Sequence, residues 1–307
     1  MASILCVGHA VEDHIFRVPA MPTDPIKYQA QNFEIVGGGP AANAAVAIAR
    51  LGGDASLIAR LGDDGVGRSI IDDLVGEGVD CTNIIKISGR TSSVSAVMVD
   101  GEGQRMIINY LDPKMPDIAA PFPAIDPLSF DAVLADVRWP DGALMAFERA
   151  KAHAIPTILD ADYPVPKDGK IIAAADYVAF SAEGLRGFSG HDDLEQGLHA
   201  VAAQYDGWFC VTDGPAPVLI LSGGEIAQVP APSVDVVDTL GAGDIWHGAF
   251  ALGLAEGMQA AASVKFANCT AVLKVTRPGG RRGAPRRGEV DEFLENWGRS
   301  HATGERV

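Results

Sequence analysis

The sequence predicts an α/β protein: a mostly parallel central sheet with helices on both faces, carrying a small β-sheet lid. Three observations predict it. Short apolar strands alternate with helical stretches over most of the 307 residues, the pattern that builds parallel sheets from crossover units. Ser3 to Val7 and Trp208 to Thr212 are short and apolar, as central strands covered on both faces are. Two stretches, 14–36 and 93–110, have mixed polarity and do not fit that layer. They suit a small separate sheet beside the strand ends, where ligands of open α/β sheets bind. The chain reads as a single domain, 1–307, with a lid formed by about 12–36 and 92–111.

In order, Ser3 to Val7 is a first strand ending at Gly8, followed by Glu12-Asp13-His14 and a short strand through Ile15, Phe16 and Val18. Lys27 to Val36 reads as a partly exposed strand. Gly37-Gly38-Gly39-Pro40 then opens a helix over Ala41 to Leu51, with Pro just inside its start. That helix is apolar almost all round, so it is buried, and Asn43 is its one polar residue before Arg50. Ala55 to Leu61 is a strand and Val66 to Val75 a helix. Ser93 to Val99 and Arg105 to Tyr110 pair about Asp100-Gly101-Glu102-Gly103. Asp131 to Asp136, Thr157 to Leu159, Tyr177 to Phe180 and Trp208 to Thr212 are strands, with helices over Gly142 to His153 and Asp192 to Gln204. Val218 to Leu221 and Glu225 to Val229 make a hairpin. Two apolar helices, Gly243 to Glu256 and Gln259 to Thr276, precede a polar tail.

Composition narrows the function. The chain is 48% hydrophobic, enough for a large core, and its net charge is −16. That balance argues against a nucleic-acid backbone as partner. It also means that an anionic substrate must be drawn by locally placed cations. The cysteines Cys6, Cys81, Cys210 and Cys269 show no metal-type spacing, and Cys6, Cys210 and Cys269 lie in apolar runs, as buried thiols in a reducing compartment do. The N-terminal residues carry no basic leader and no long uncharged apolar stretch follows, so the expectation is a soluble cytoplasmic protein without membrane contact.

The chemistry concentrates in Val237 to Gly248. An extended run meets a turn of small residues and becomes an apolar helix. Two glycines flank Ala242, so backbone N–H groups can approach a ligand, and the helix start favours an anion. Asp244 sits just inside. A carboxylate there suits a general base beside a phosphoryl group; equally, the helix dipole rewards an acid in the first turn.

Three motifs then agree in order. Gly38-Gly39-Pro40-Ala41-Ala42-Asn43, continuing to Ala49-Arg50-Leu51-Gly52, resembles the first signature of the ribokinase-like (phosphofructokinase-B) carbohydrate kinases. Asp238-Thr239-Leu240-Gly241-Ala242-Gly243-Asp244 is similar to their second, Asp-Thr-x-Gly-Ala-Gly-Asp, and Val211-Thr212-Asp213-Gly214 resembles their Thr-x-Gly nucleotide segment. The resemblance implies a ribokinase-like three-layer fold and transfer of the γ-phosphoryl group of ATP, with Mg2+, to a sugar hydroxyl. It implies Asp244 as base, the backbone of Gly241, Ala242 and Gly243 as anion hole, and Asp13, Gly38, Gly39 and Asn43 as sugar contacts. Thr212 and Gly214 would line the nucleotide phosphates and Asn268 the adenine end. Ser181-Ala182-Glu183-Gly184 departs from the family's Asn-x-x-Glu segment, so no magnesium residue carries over. The loop Thr276 to Pro285 lies where many members frame a monovalent cation such as K+. Its arginines (Arg277, Arg281, Arg282, with Arg286 and Arg287 beyond) either flank phosphates or are solvated. Lids of this family often cap a partner's site, which implies a homodimer through the β lid.

Closer features resemble a subgroup that phosphorylates the carbon-1 hydroxyl of 6-deoxy-6-sulfofructose: Gly37 to Ala42, Ile107 to Tyr110, Leu134 to Trp139 and Thr276 to Arg281. This implies that Lys27, Asn109 and Arg138 hold the sulfonate. By position, Lys27 and Asn109 fall on the lid strand pairs and Arg138 follows a core strand. A point charge, an amide and a planar guanidinium can converge on three anionic oxygens. Arg138 equally suits Asp136 or a neutral sugar's hydroxyl, so a ketohexokinase or fructokinase, or a kinase of a phosphosugar or nucleoside, stays open. A non-catalytic sensor on the same scaffold is opposed by the intact Asp244 and Gly-Ala-Gly.

Overall fold

The computed structural model describes residues 1–101, 104–116 and 122–303. The first third supplies β1 (Ser3–Gly8), β2 (Val11–Arg17), β3 (Asn32–Gly38), α1 (Pro40–Arg50), β4 (Asp54–Gly62), α2 (Gly65–Gly76), β5 (Ile85–Ile87), β6 (Val94–Val99) and β7 (Arg105–Tyr110). The middle supplies β8 (Ala132–Asp136), α3 (Pro140–Lys151), β9 (Thr157–Ala161), α4 (Lys170–Ala174), β10 (Tyr177–Ser181), α5 (Ala182–Ser189), α6 (Leu194–Ala202) and β11 (Trp208–Thr212). The last part supplies β12 (Val218–Ser222), β13 (Glu225–Val229), α7 (Ala242–Ala255), α8 (Ala260–Val275) and α9 (Arg287–Thr303).

Among the described residues, the main sheet runs β13-β12-β11-β10-β9-β8-β1-β4-β5. Neighbours from β11 to β5 are parallel, and the β12–β13 hairpin adds an antiparallel edge. Successive strand side chains point to opposite faces, and the core divides accordingly. Ile4 and Cys6 pack with α1, α2, α7, α8 and α9; Leu5 and Val7 pack with α3 to α6. The sheet is therefore the middle of three layers, as the alternating pattern predicts. Cys6, Cys210 and Cys269 are buried free thiols. No helix among the described residues is long and apolar enough to cross a membrane.

The polar-faced stretches form a second sheet in the order β3-β2-β6-β7. The two insertions join through parallel pairing of β2 with β6. The β6–β7 pair is antiparallel as expected, although Glu102 and Gly103 of its turn lie outside the described residues. One face of this sheet carries Ile15, Val36 and Val97, packed with Leu240 from the turn before α7. That contact sets the small sheet over the helix start where the chemistry was expected.

Several expectations need correction. The third strand begins at Asn32, not Lys27: the preceding segment holds Pro22 and Pro25, whose missing N–H groups disfavour a ladder, and Tyr28 Oη accepts from the N–H groups of Thr23 and Asp24. The polar tail is instead the helix α9, whose Val290, Phe293, Leu294 and Trp297 lie against the core. Spaced at i, i+3, i+4 and i+7, they form the single apolar stripe of an otherwise charged helix. The short elements β5, α4 and α5 were also not anticipated.

Candidate active site

Elements far apart in sequence meet at the carboxyl ends of the parallel strands. Asp136, the last residue of β8, organises them. Its carboxylate accepts N–H groups from His9 at 2.8 Å, Ala41 at 3.0 Å and Arg138 at 2.8 Å. It thereby fixes the turn after β1 and the start of α1, whose N-cap, Gly39, has no side chain to offer. Burial pushes the Asp136 carboxyl up, while these donors pull it back. Sequence reading placed Asp136 only as a possible partner of Arg138; its role as a cap 95 residues away carries no local signature.

Asp244 lies in the first turn of α7. Gly241 is the N-cap with φ 73°, and no side chain caps the helix, so N–H groups at its start remain available to an anion. Of the expected anion-hole residues, Ala242 is turned inward: its N–H donates to Thr239 O at 3.2 Å. Asn43, buried in α1, donates from Nδ2 to Asp244 Oδ2 at 2.6 Å across 201 residues. The lone polar residue of an apolar helix thus has its reason. Its Oδ1 is buried with no hydrogen-bond partner. Burial pushes the Asp244 carboxyl up to about 6, with Asp162, Asp136 and Asp13 adding repulsion and the Asn43 bond opposing. Behind it, His247 ties α7 to the strand ends: Nδ1 lies 2.8 Å from Gly243 O, and Nε2 lies 3.2 Å from Ala179 O and 3.5 Å from Asp160 Oδ1.

The small sheet presents a polar row to this site. Asp13, Ser95 and Asn109 are register partners on β2, β6 and β7, so they share one face. Asp13 is hydrogen-bonded to Ser95; burial raises its pKa, against the pull of Ser95, Arg281 and His14. A Cβ at Gly38 would overlap Asp13 Oδ2 and one at Gly37 would overlap the Arg281 guanidinium. Both glycines are therefore required by close approach. Arg281 is not solvated. It is 1% exposed, bound through Nη2 to Asp73 at 2.5 Å, with Nε and Nη1 lacking partners. Arg277 pairs with Glu289, and Arg287 with Glu256 and Asp291.

The three expected sulfonate residues are not gathered by direct contact. Asn109 donates to Ser93 Oγ at 3.1 Å and Ser95 Oγ at 3.0 Å. Arg138 donates to Asp162 Oδ2 at 3.3 Å and Tyr163 O at 2.7 Å. Lys27 is exposed and on no strand, which overturns its placement in the lid ladder. A different cationic grouping emerges instead. Half-buried His9, just past β1, has its pKa lowered to about 4 by burial and then by the charges of Arg138 and Arg60. Arg60 lies over the Trp139 ring, 4.6 Å from its centroid. It sits inside β4 with no motif around it, and sequence reading missed it.

Beside the α7 start is a cavity of about 420 Å³ lined by Thr212, Gly214, Ala242, Gly243, Trp246 and Asn268 among others. The structure thus gathers all three expected nucleotide residues. The Asn268 amide is consumed internally: Oδ1 accepts from Trp246 Nε1 at 2.7 Å, and Nδ2 donates to Val229 O and Pro230 O. Asn268 can therefore offer a surface but no free hydrogen bond. A wider hollow of about 1000 Å³ opens at Tyr177 and Trp208, the opposite ends of their strands, and contains none of the candidate residues.

No cluster of three or more metal-ligating side chains occurs among the described residues. Ser181 caps α5 by accepting the Gly184 N–H at 3.0 Å and donates to Asp162 Oδ1 at 2.8 Å. A Cβ at Gly184 would overlap Ala161 O, so no Glu fits there without rearrangement. Magnesium characteristically keeps one or two carboxylates plus substrate phosphates. Half-exposed Asp162, within electrostatic reach of Asp244, meets that requirement.

Comparison with known proteins finds relatives over most of the chain. A ribokinase of Bacillus subtilis is 30% identical over 299 residues, covering 96% of this chain and all of that protein. A fructokinase of Klebsiella pneumoniae is 32% identical over 241 residues, 73% of this chain and 77% of its own length. The structure of an Arabidopsis thaliana ribokinase complexed with ribose and ATP superposes with a TM-score of 0.84 at 24% identity, covering 96% of this chain and 99% of that one. Residues 1–287 match the profile of the pfkB family carbohydrate kinases. With both signatures in place at the strand ends, the chain belongs to that family, the ribokinase-like carbohydrate kinases.

Proposed function

We propose that the chain transfers the γ-phosphoryl group of ATP to a primary sugar hydroxyl, and that its preferred acceptor is the carbon-1 hydroxyl of 6-deoxy-6-sulfofructose. Asp244 takes the hydroxyl proton as the oxygen attacks phosphorus, and ADP leaves. Backbone N–H groups of Gly241 and Gly243 and the α7 dipole neutralise charge on the transferring group, the Ala242 N–H being held by Thr239 O. The nucleotide fills the cavity at Thr212 and Gly214. Magnesium, carried on its phosphates with Asp162 as carboxylate ligand, would screen phosphate charge. Asp13 accepts sugar hydroxyl protons, Asn43 Oδ1 accepts another, and Gly38 and Gly39 let the sugar approach the backbone.

One observation carries the choice of acceptor. Arg60, near the end of β4, lies over the ring of Trp139, the residue after Arg138, so two cations sit at the strand ends in a chain of net charge −16. A sulfonate offers three anionic oxygens to such a pair. Asn109 shares the lid face of Asp13, and Lys27 joins only if the segment before β3 folds over the sugar. A neutral ketohexose is the second reading, favoured by the fructokinase relative and by the existing bonds of Arg138 to Asp162 and Tyr163 O. The β lid is also proposed as a homodimer contact. Its face away from Leu240 exposes Phe33, Ile35, Met106, Ile108 and Tyr110, an apolar patch of the kind that marks an interface.

The test is ADP release by purified protein with 6-deoxy-6-sulfofructose, fructose, ribose, fructose 6-phosphate and adenosine. Turnover of sulfofructose above all others is expected. A specificity constant for fructose equal to that for sulfofructose would remove the sulfonate reading, and no ADP with any sugar would remove the kinase reading.

A further inference from the structure

The turn that presents Asp244 is held from behind by a buried charge. Lys274, in the last turn of α8, is wholly buried. Its Nζ donates to Asp238 O at 2.6 Å and lies 3.2 Å from Asp238 Oδ2. The same carboxylate accepts the N–H of Leu240 on Oδ1 at 2.8 Å and that of Gly280 on Oδ2 at 2.9 Å. The N–H groups of Val237 and Asp238 both donate to Val275 O. One ammonium therefore joins the second signature to the start of the 276–285 loop, three residues before the α7 N-cap.

This is the loop where many members of the family frame a monovalent cation, and the donors here do not fit one. Such a cation is bound by oxygen atoms. The carboxylate and carbonyl oxygens of Asp238 already face the Lys274 ammonium. The Asp238 charge is matched: burial pushes its carboxyl up, but the Gly280 and Leu240 N–H groups and Lys274 carry it below the usual carboxylate range. A second cation would gain no unpaired charge there and would meet like charge instead. A buried lysine is otherwise a costly choice for fastening a helix to a loop, because its ammonium loses hydration.

We propose that the Lys274 ε-ammonium is a tethered replacement for the monovalent cation, so that this kinase needs no potassium. The proposal rests on the kinase reading only in its catalytic arm. Its binding arm needs no turnover.

The experiment compares potassium, sodium and N-methylglucamine chlorides at equal ionic strength, reading both ADP release with the best sugar of the panel and melting temperature. For the full chain as it stands, rates within about twofold across the three salts are expected, since cation affinity would otherwise appear as linkage. No potassium-specific rise in melting temperature is expected. Lys274→Met should lose about tenfold or more in kcat in sodium, regain part of it in potassium or ammonium, and acquire a potassium-specific rise in melting temperature. About tenfold activation of the unaltered protein by potassium, or a potassium-specific rise in its melting temperature, would overturn the proposal. So would full activity of Lys274→Met in sodium, because a fastening role alone predicts no cation-selective rescue. If that variant does not fold, the unaltered protein decides; if no sugar is turned over, its melting temperatures decide.

Discussion

Replacing Asp244 with Asn separates chemistry from stability. The amide keeps an oxygen that can accept from Asn43 Nδ2, now 2.6 Å from the carboxylate, but it cannot take a proton. Loss of a general base costs about 10²–10⁴-fold in turnover, with sugar and nucleotide binding largely retained. Stability should move the other way. The carboxyl is raised from its ordinary value of 3.8 to about 6, first by burial and then by neighbouring carboxylates. The folded state therefore binds the proton more tightly than the unfolded state. The ionised form costs stability above pH 6, and the cost fades as pH falls from about 6 towards 4. Two pH units correspond to about 3 kcal/mol. Asp244 is partly open to solvent, which screens the charge and reduces this to about 1–2 kcal/mol. That is a rise of about 2–6 °C in melting temperature at pH 8, shrinking towards zero at pH 4. Calorimetry at both pH values with ADP release at pH 8 provides the assay. Turnover within about tenfold of the unaltered protein would refute the assignment of the base. A melting temperature at pH 8 no higher than that of the unaltered protein would refute the electrostatic account.

The same carboxyl sets an acid limit: kcat/KM should fall below pH about 6, as the base protonates, and a profile flat to pH 5 would contradict it. Arg138→Ala should raise KM for 6-deoxy-6-sulfofructose by about 10–100-fold; loss of its bonds to Asp162 and Tyr163 O falls on both sugars alike, so the smaller change for fructose measures that part, and equal effects on both sugars would argue against a sulfonate role. Gly37→Ala should displace the Arg281 guanidinium, lowering the melting temperature and raising KM for the sugar through Asp13, with Arg281→Met sharing the KM defect; the cost of uncovering a buried ion pair is about 3–5 kcal/mol. Ile108→Lys, at a residue 61% exposed, should shift sedimentation from dimer to monomer, and unchanged sedimentation would remove the lid as the contact.

Much of the fold was legible because its signals are local. Apolar strands at regular spacing report a parallel sheet, and mixed-polarity strands report a sheet with one open face. The signature residues were legible because glycine and an isolated polar group are conspicuous in apolar context: Asn43 in α1 and Asp244 beside Gly243 are such cases. What escaped is what depends on long-range pairing. Asp136 caps a helix from another strand, Arg281 lies against Gly37 from the far end of the chain, and Arg60 lies over Trp139 from within β4. None has a neighbour in sequence that marks it. Lys27 was misplaced because mixed polarity alone could not tell a strand from the proline-bearing segment before it, and α9 was missed because one apolar stripe was outweighed by its charges.

The preference for an anionic ketose is tested most directly by competition. Equal concentrations of 6-deoxy-6-sulfofructose and fructose are supplied with limiting ATP, and the two phosphorylated products are separated and quantified by mass spectrometry, so that their ratio gives the ratio of kcat/KM. A site selective for the sulfonate gives sulfofructose phosphate in excess by about tenfold or more, as loss of one charge-assisted contact implies. Equal products, or an excess of fructose phosphate, would contradict it.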